Sequence, residues 1–115
     1  MKETISSIST VLILITLFMI SAQTGAKEMT SEEVTFGRKL GNCLACHMIP
    51  GGSLPGTIGP PLFAMKERFP NKADLRKQIW DATIKNPYSI MPPFGKHQVL
   101  TENQIDQITD FIYSK

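Results

Sequence analysis

Residues 43–47 read Cys-Leu-Ala-Cys-His, and Cys43 and Cys46 are the only two cysteines in the chain of 115 residues. A Cys-x-x-Cys pair followed at once by histidine is the spacing for covalent attachment of a c-type haem. Two intervening residues on an incipient helical turn bring the two sulfurs to the separation of the two vinyl groups of a porphyrin. The imidazole of His47 then points at the iron. A metal-bound imidazole is normally held by a hydrogen bond from its far ring nitrogen. The carbonyl of Pro60, in Gly59-Pro60-Pro61-Leu62, is the candidate acceptor; the competing reading is that Pro60 only turns the chain.

Two cysteines have other uses. An exported protein suggests a disulfide first, but the histidine directly after Cys46 argues for haem. A thioredoxin-like redox pair belongs beside a βαβ pattern, and none is legible here. A structural zinc site wants four ligands, and beyond Cys43, Cys46 and His47 the chain offers only one more histidine, His97, and no further cysteine.

The segment before the motif has a different character. Lys2 is followed by the apolar run 11–20 and then by Ser21-Ala22-Gln23-Thr24-Gly25-Ala26. That is the order of a secretory signal and its cleavage region. The apolar core of about ten residues is short of the roughly 20 that span a bilayer. A retained anchor is the alternative. Cleavage after Ala22 or Ala26 fits equally, so residues 1–26 are read as a signal peptide and 27–115 as one domain, its mature start near Gln23 or Lys27. These features predict export to the periplasm with no stable membrane anchor.

A domain of this size buries a modest share of its surface and benefits from a stabilising group. A buried porphyrin would supply apolar core. Without Lys2 and Glu3, eleven basic residues face nine acidic ones. That near-balance lacks the basic footprint of a nucleic-acid binder.

The rest reads as helices joined by proline-rich loops. Thr30 and Glu33 form a capping-box pattern, and Val34, Gly37 and Leu40 then recur at helical spacing. Gly37 marks either close contact with another helix or a tolerated glycine. Residues 50–61 carry too much glycine and proline to continue a helix. A second helix is predicted from Lys72 to Lys85, with Leu75, Ile79, Trp80 and Ile84 apolar, ended by Asn86-Pro87. The last helix is predicted from Thr101, with Gln104 completing another capping box. Its stripe is Ile105, Ile108, Phe111 and Ile112.

The iron of a haem held by His47 needs a sixth ligand. Met29, Met48, Met65, Met91 and His97 are the candidates. Met48 is tied too close to His47 to cross the ring, Met29 precedes the first helix, and Met65 reads as a packing methionine. Met91 lies in an apolar loop stiffened by Pro87, Pro92 and Pro93, which suits a weak thioether ligand, so Met91 is favoured and His97 is its rival. Met/His ligation raises the haem potential and suits electron transfer. Two tight axial ligands leave no open site for substrate, which favours a carrier over an enzyme and over a haem-based ligand sensor.

Several stretches together resemble one family. Gly41-Asn42-Cys43-Leu44-Ala45-Cys46-His47, Ile49-Pro50-Gly51-Gly52, Gly56-Thr57-Ile58-Gly59-Pro60-Pro61-Leu62, Ile79-Trp80-Asp81-Ala82-Thr83 and Met91-Pro92-Pro93-Phe94-Gly95-Lys96-His97 resemble the SoxX cytochromes. The resemblance spans nearly all of residues 34–113. The haem motif is generic; the last two stretches are the specific ones. The resemblance implies an all-α, small class I cytochrome c-like fold with one covalent haem c, tethered by Cys43 and Cys46 and ligated by His47 and Met91. It also implies a monohaem electron-transfer subunit of the SoxAX complex, which starts thiosulfate oxidation in the periplasm as an L-cysteine S-thiosulfotransferase. In that complex SoxA carries the catalytic haem, a cysteine of SoxYZ receives the thiosulfate, and electrons leave through a diffusible cytochrome. The alternative is a free-standing monohaem carrier to an oxidase. Leu54, Tyr88, Ile90 and Phe94 are candidates for a partner surface, and each is equally a candidate for the core.

Overall fold

The computed structural model describes residues 27–115. The expected signal segment, 1–26, lies outside the described residues. Thr30 opens the first helix, α1 (Ser31–Phe36). Its hydroxyl accepts the Glu33 N–H at 3.2 Å, and the Glu33 carboxylate accepts the Thr30 N–H at 2.8 Å. Two otherwise orphaned helix donors are thereby satisfied. The same backbone bond holds the Glu33 carboxyl below its ordinary value.

α1 is shorter than the spacing of Val34, Gly37 and Leu40 predicts. Gly37 leaves the helix with φ −59° and ψ 124°, and a Cβ there would stand 2.7 Å from the Glu33 carbonyl oxygen. The chain then folds back, with Gly41 N–H on the Val34 carbonyl at 3.0 Å and Asn42 N–H on that of Gly37 at 3.1 Å. Gly37 is therefore a stop. The close approach to another helix falls instead at Gly41, in the turn after α1, where a Cβ would lie 3.0 Å from the Ile108 side chain of the last helix.

A short helix that periodicity does not reveal, α2 (Met65–Arg68), follows Ala64 in the left-handed region at φ 51°. α3 (Lys72–Trp80) starts at Asn71, whose side chain accepts the Ala73 N–H at 3.0 Å. It stops five residues short of the predicted end. At Asp81 the backbone turns extended (φ −156°, ψ 95°), and a 3-10 turn, Ala82–Ile84, replaces the last helical turn. The Asp81 carboxylate accepts both the N–H and the hydroxyl of Thr83. Short acidic side chains of this kind compete with helical hydrogen bonds. Of the apolar residues of that helix, Leu75 and Ile79 are buried, but Ile84, beyond the break, is 73% exposed. α4 (Glu102–Tyr113) begins at the predicted Thr101–Gln104 capping box.

Helix α4 is the centre of the packing. Ile105, Ile108 and Ile112 are almost completely buried, together with Val34 of α1 and Leu75 and Ile79 of α3. Phe36 and Phe111 meet edge to face, with ring centroids 5.4 Å apart. Each fully buried aliphatic side chain contributes about 1.5–3 kcal/mol. Ion pairs Lys72–Asp110 (2.6 Å) and Arg76–Asp106 (2.6 Å) bridge α3 and α4 at the surface, where solvent screening leaves such pairs little net weight. The described residues contain four α-helices, two 3-10 turns and no strand. None of the described helices is long and apolar enough to cross a membrane.

Candidate functional site

The helices and loops do not close on one another completely. They leave a cavity of about 660 Å3, within the size range of cofactor sites. Leu75 and Ile79 of α3 and Ile108 and Ile112 of α4 form part of its lining. Cys43, Cys46 and His47 also line it, as do Pro60 and Met91. All five residues singled out from the sequence therefore meet around one space.

The Cys43–His47 segment is wound as a tight turn. Cys43–Ala45 is a 3-10 helix, and the Cys43 carbonyl accepts N–H groups from Cys46 at 3.2 Å and His47 at 2.9 Å. A second segment is laced onto it: Gly56 N–H donates to the Leu44 carbonyl (2.7 Å), Gly59 to Cys46 (2.8 Å) and Leu62 to Met48 (2.8 Å). This lacing brings the Pro60 carbonyl 2.6 Å from His47 Nδ1. A carbonyl only accepts, so Nδ1 is the ring nitrogen that carries a proton and donates, and Nε2 is the one turned to other partners. Pro60 is thus more than a turn residue. Gly59 is part of the same cradle, because a Cβ there would lie 2.3 Å from His47 Cε1. Arg68 braces the next carbonyl, that of Pro61, at 2.7 Å.

The surroundings of the two sulfurs bear on the readings of the cysteine pair. Burial pushes the Cys43 thiol up to about 11, with the neighbouring Cys46 adding to the effect. A redox-active dithiol carries one thiol with a lowered value, and the surroundings of Cys43 act the other way. Among the described residues no group of three His, Cys, Asp or Glu side chains is arranged to hold a metal ion, so the four-ligand zinc reading lacks its remaining ligands.

The candidates for the sixth ligand also separate. Met29 and Met48 are largely exposed, and neither lines the cavity, nor does the exposed His97. Met65 lines it but is 1% exposed inside the core, and its sulfur faces the Arg68 guanidinium at 3.5 Å. Met91 lines it from a loop and is only partly buried. The charged lining residues missed in the sequence are Arg38 and Arg68, both cationic. No periodicity marks them, since both sit in short or irregular segments. An apolar cavity lined by a half-buried thiol pair, a histidine, a thioether and two cationic side chains fits a flat apolar macrocycle bearing carboxylates.

Leu54, Tyr88 and Ile90 are exposed, whereas Phe94 packs against the core. The small all-helical fold and this cavity define a class I cytochrome c-like domain, an electron-transfer module. The chain belongs to the family described as cytochrome c oxidase, cbb3-type, subunit III, whose model matches residues 24–112. It is also similar to a chain in the crystal structure of SoxXA from P. pantotrophus, with 28% identity and a TM-score of 0.64 over 82% of this chain and 86% of that one. The two matches together support a SoxX-like cytochrome. No curated protein sequence matches it.

Proposed function

We propose that this chain holds one haem c and relays single electrons as the SoxX-type subunit beside a SoxA-like cytochrome. In this reading Cys43 and Cys46 would tether the haem through two thioether bonds, and His47 and Met91 would ligate its iron. The observation that carries it is the meeting of these four side chains around one cavity, with the His47 ring already held by Pro60 at 2.6 Å. Haem c bound there supplies a one-electron iron couple. The protein's own residues do the rest. Pro60 fixes the tautomer and plane of His47. Leu75, Ile79, Ile108 and Ile112 exclude water from the site. Met91 fills the position at which a substrate or gaseous ligand would otherwise bind.

The likeness to SoxXA supports a SoxA-like partner. The chain alone is then no enzyme. It accepts electrons while a thiosulfotransferase complex, with its catalytic haem on the SoxA-like subunit, joins thiosulfate to a cysteine of a SoxYZ-like carrier. A diffusible cytochrome takes the electrons onward. We place the complex in the periplasm, reached through cleavage of residues 1–22 or 1–26. A pyridine haemochrome spectrum checks the haem: the c-type signature is expected, and its absence would reject the site. Intact mass checks processing, and retention of Met1 would reject cleavage. Co-purification with a larger haem protein checks the partner. The family match favours one second reading, a separate carrier serving an oxidase; isolation as a lone monomer whose electrons go directly to an oxidase would decide for it.

A further inference from the structure

The loop that carries Met91 is clamped to the end of α3 at three points. The Trp80 carbonyl accepts N–H groups from Gly95 at 3.1 Å and Lys96 at 3.3 Å. The Trp80 ring lies on Gly95 so closely that a Cβ there would stand 2.1 Å from ring carbons. Finally, Lys96 Nζ lies 3.0 Å from Asp81 Oδ2. The Asp81 side chain is 4% exposed, against 56% for Lys96.

The geometry divides the work between the two carboxylate oxygens. Oδ1 is satisfied locally by Thr83. Oδ2 has its ionic partner on the loop. A carboxylate so little exposed is costly to leave without a partner, so detaching Lys96 is opposed by more than an exposed ion pair would supply. On its other side the clamp reaches α4. The Arg76 guanidinium lies 5.5 Å from the Trp80 ring centroid and pairs with Asp106 and Glu102. Between Gly95 and Met91 stand Pro92 and Pro93, whose rings fix φ, and Phe94, which packs against the core. A segment this stiff transmits its anchorage to Met91.

We propose that Asp81 and Lys96 are positioning residues for Met91: their ion pair, with the Trp80–Gly95 contact, sets how readily the Met91 thioether gives way to a competing ligand. The inference rests on Met91 being an axial ligand.

The test is imidazole binding to the oxidised holoprotein, followed by loss of the thioether-to-iron charge-transfer band. Competition with an internal ligand lowers apparent affinity by the fraction of molecules with an open site. Lys96→Gln should raise the apparent imidazole affinity about tenfold, equivalent to roughly 1.4 kcal/mol of loop anchorage. Lys96→Arg should stay near wild type. Lys77→Gln, which breaks an exposed pair with Asp74 on the same helix, should change nothing. Lys96 is exposed, so its variants fold even if Asp81→Asn does not. Imidazole affinity in Lys96→Gln within twofold of wild type would overturn the clamp while leaving the ligand assignment intact. Retention of the band in Met91→Ala would instead overturn the ligation and the clamp with it.

Discussion

Asp81 Oδ2 and Lys96 Nζ stand 3.0 Å apart and join the end of α3 to the loop carrying Met91. The pair is asymmetric, with a carboxylate almost removed from water facing an ammonium that is half in it. Such a pair differs from the surface bridges between α3 and α4, whose carboxylates all stay more than half exposed.

The first prediction concerns acid. The Asp81 carboxyl is held below its ordinary value, chiefly by the Thr83 hydroxyl and then by Lys96. A lowered folded-state value means that its contribution is complete above the unfolded value of about 3.9 and is lost as pH falls through the folded one. Urea midpoints measured from about pH 6 down to about pH 3 should therefore fall more steeply in wild type than in Asp81→Asn. Parallel acid limbs would contradict this.

Met91→Ala should remove the thioether charge-transfer band and lower the reduction potential, because methionine is the ligand that raises it in Met/His haems. Spectroscopy and potentiometry on the same sample check both effects. Met65→Leu, altering a methionine packed in the core, should leave the band in place.

Gly59→Ala places a methyl group 2.3 Å from His47 Cε1. The ring must move, and its bond to the Pro60 carbonyl must lengthen or break. The expected result is a lower yield of holoprotein per chain, read as the ratio of haem absorbance to total protein. Gly51→Ala is the useful contrast, since a Cβ there meets nothing within 4 Å although the backbone has φ +92°. It should lower stability through backbone strain without lowering haem content.

Ile105 is completely buried in α4. Ile105→Ala should destabilise the domain by about 2–5 kcal/mol. Thr101→Ala removes the acceptor for the Gln104 N–H and should remove about 0.5–2 kcal/mol. Denaturant titration of the holoprotein checks both, and the order should be Ile105 first. Equal effects would mean that α4 is held mainly by its cap.

Much of the fold was legible where the information is local. A capping box needs only residues three apart, and both Thr30–Glu33 and Thr101–Gln104 form as read. The stripe of α4 was legible because a 3.6-residue period needs no knowledge of its partner. The ends of α1 and α3 were not. Gly37 stops α1 because the returning chain offers Gly41 N–H to the Val34 carbonyl. Asp81 stops α3 because its carboxylate bonds Thr83 and meets Lys96 from a distant loop. Ala64 and α2 left no periodic trace, since four residues are shorter than any reliable apolar repeat.

For the site, the sequence by itself determined the chemistry. Cys43, Cys46 and His47 are adjacent, so the spacing of thiols and imidazole is a property of one turn of backbone. Pro60 and Met91 could be nominated from the sequence, but only tertiary structure brought them to that turn. Hydrogen bonds from Gly56, Gly59 and Leu62 carry the Pro60 carbonyl to His47. Trp80, Asp81 and Lys96 decide where the Met91 loop is anchored. A cavity is enclosed by side chains from every part of the chain, and its lining is set by how α3 and α4 pack. No local pattern encodes that packing, which is why Arg38 and Arg68 became visible at the site only in the folded molecule.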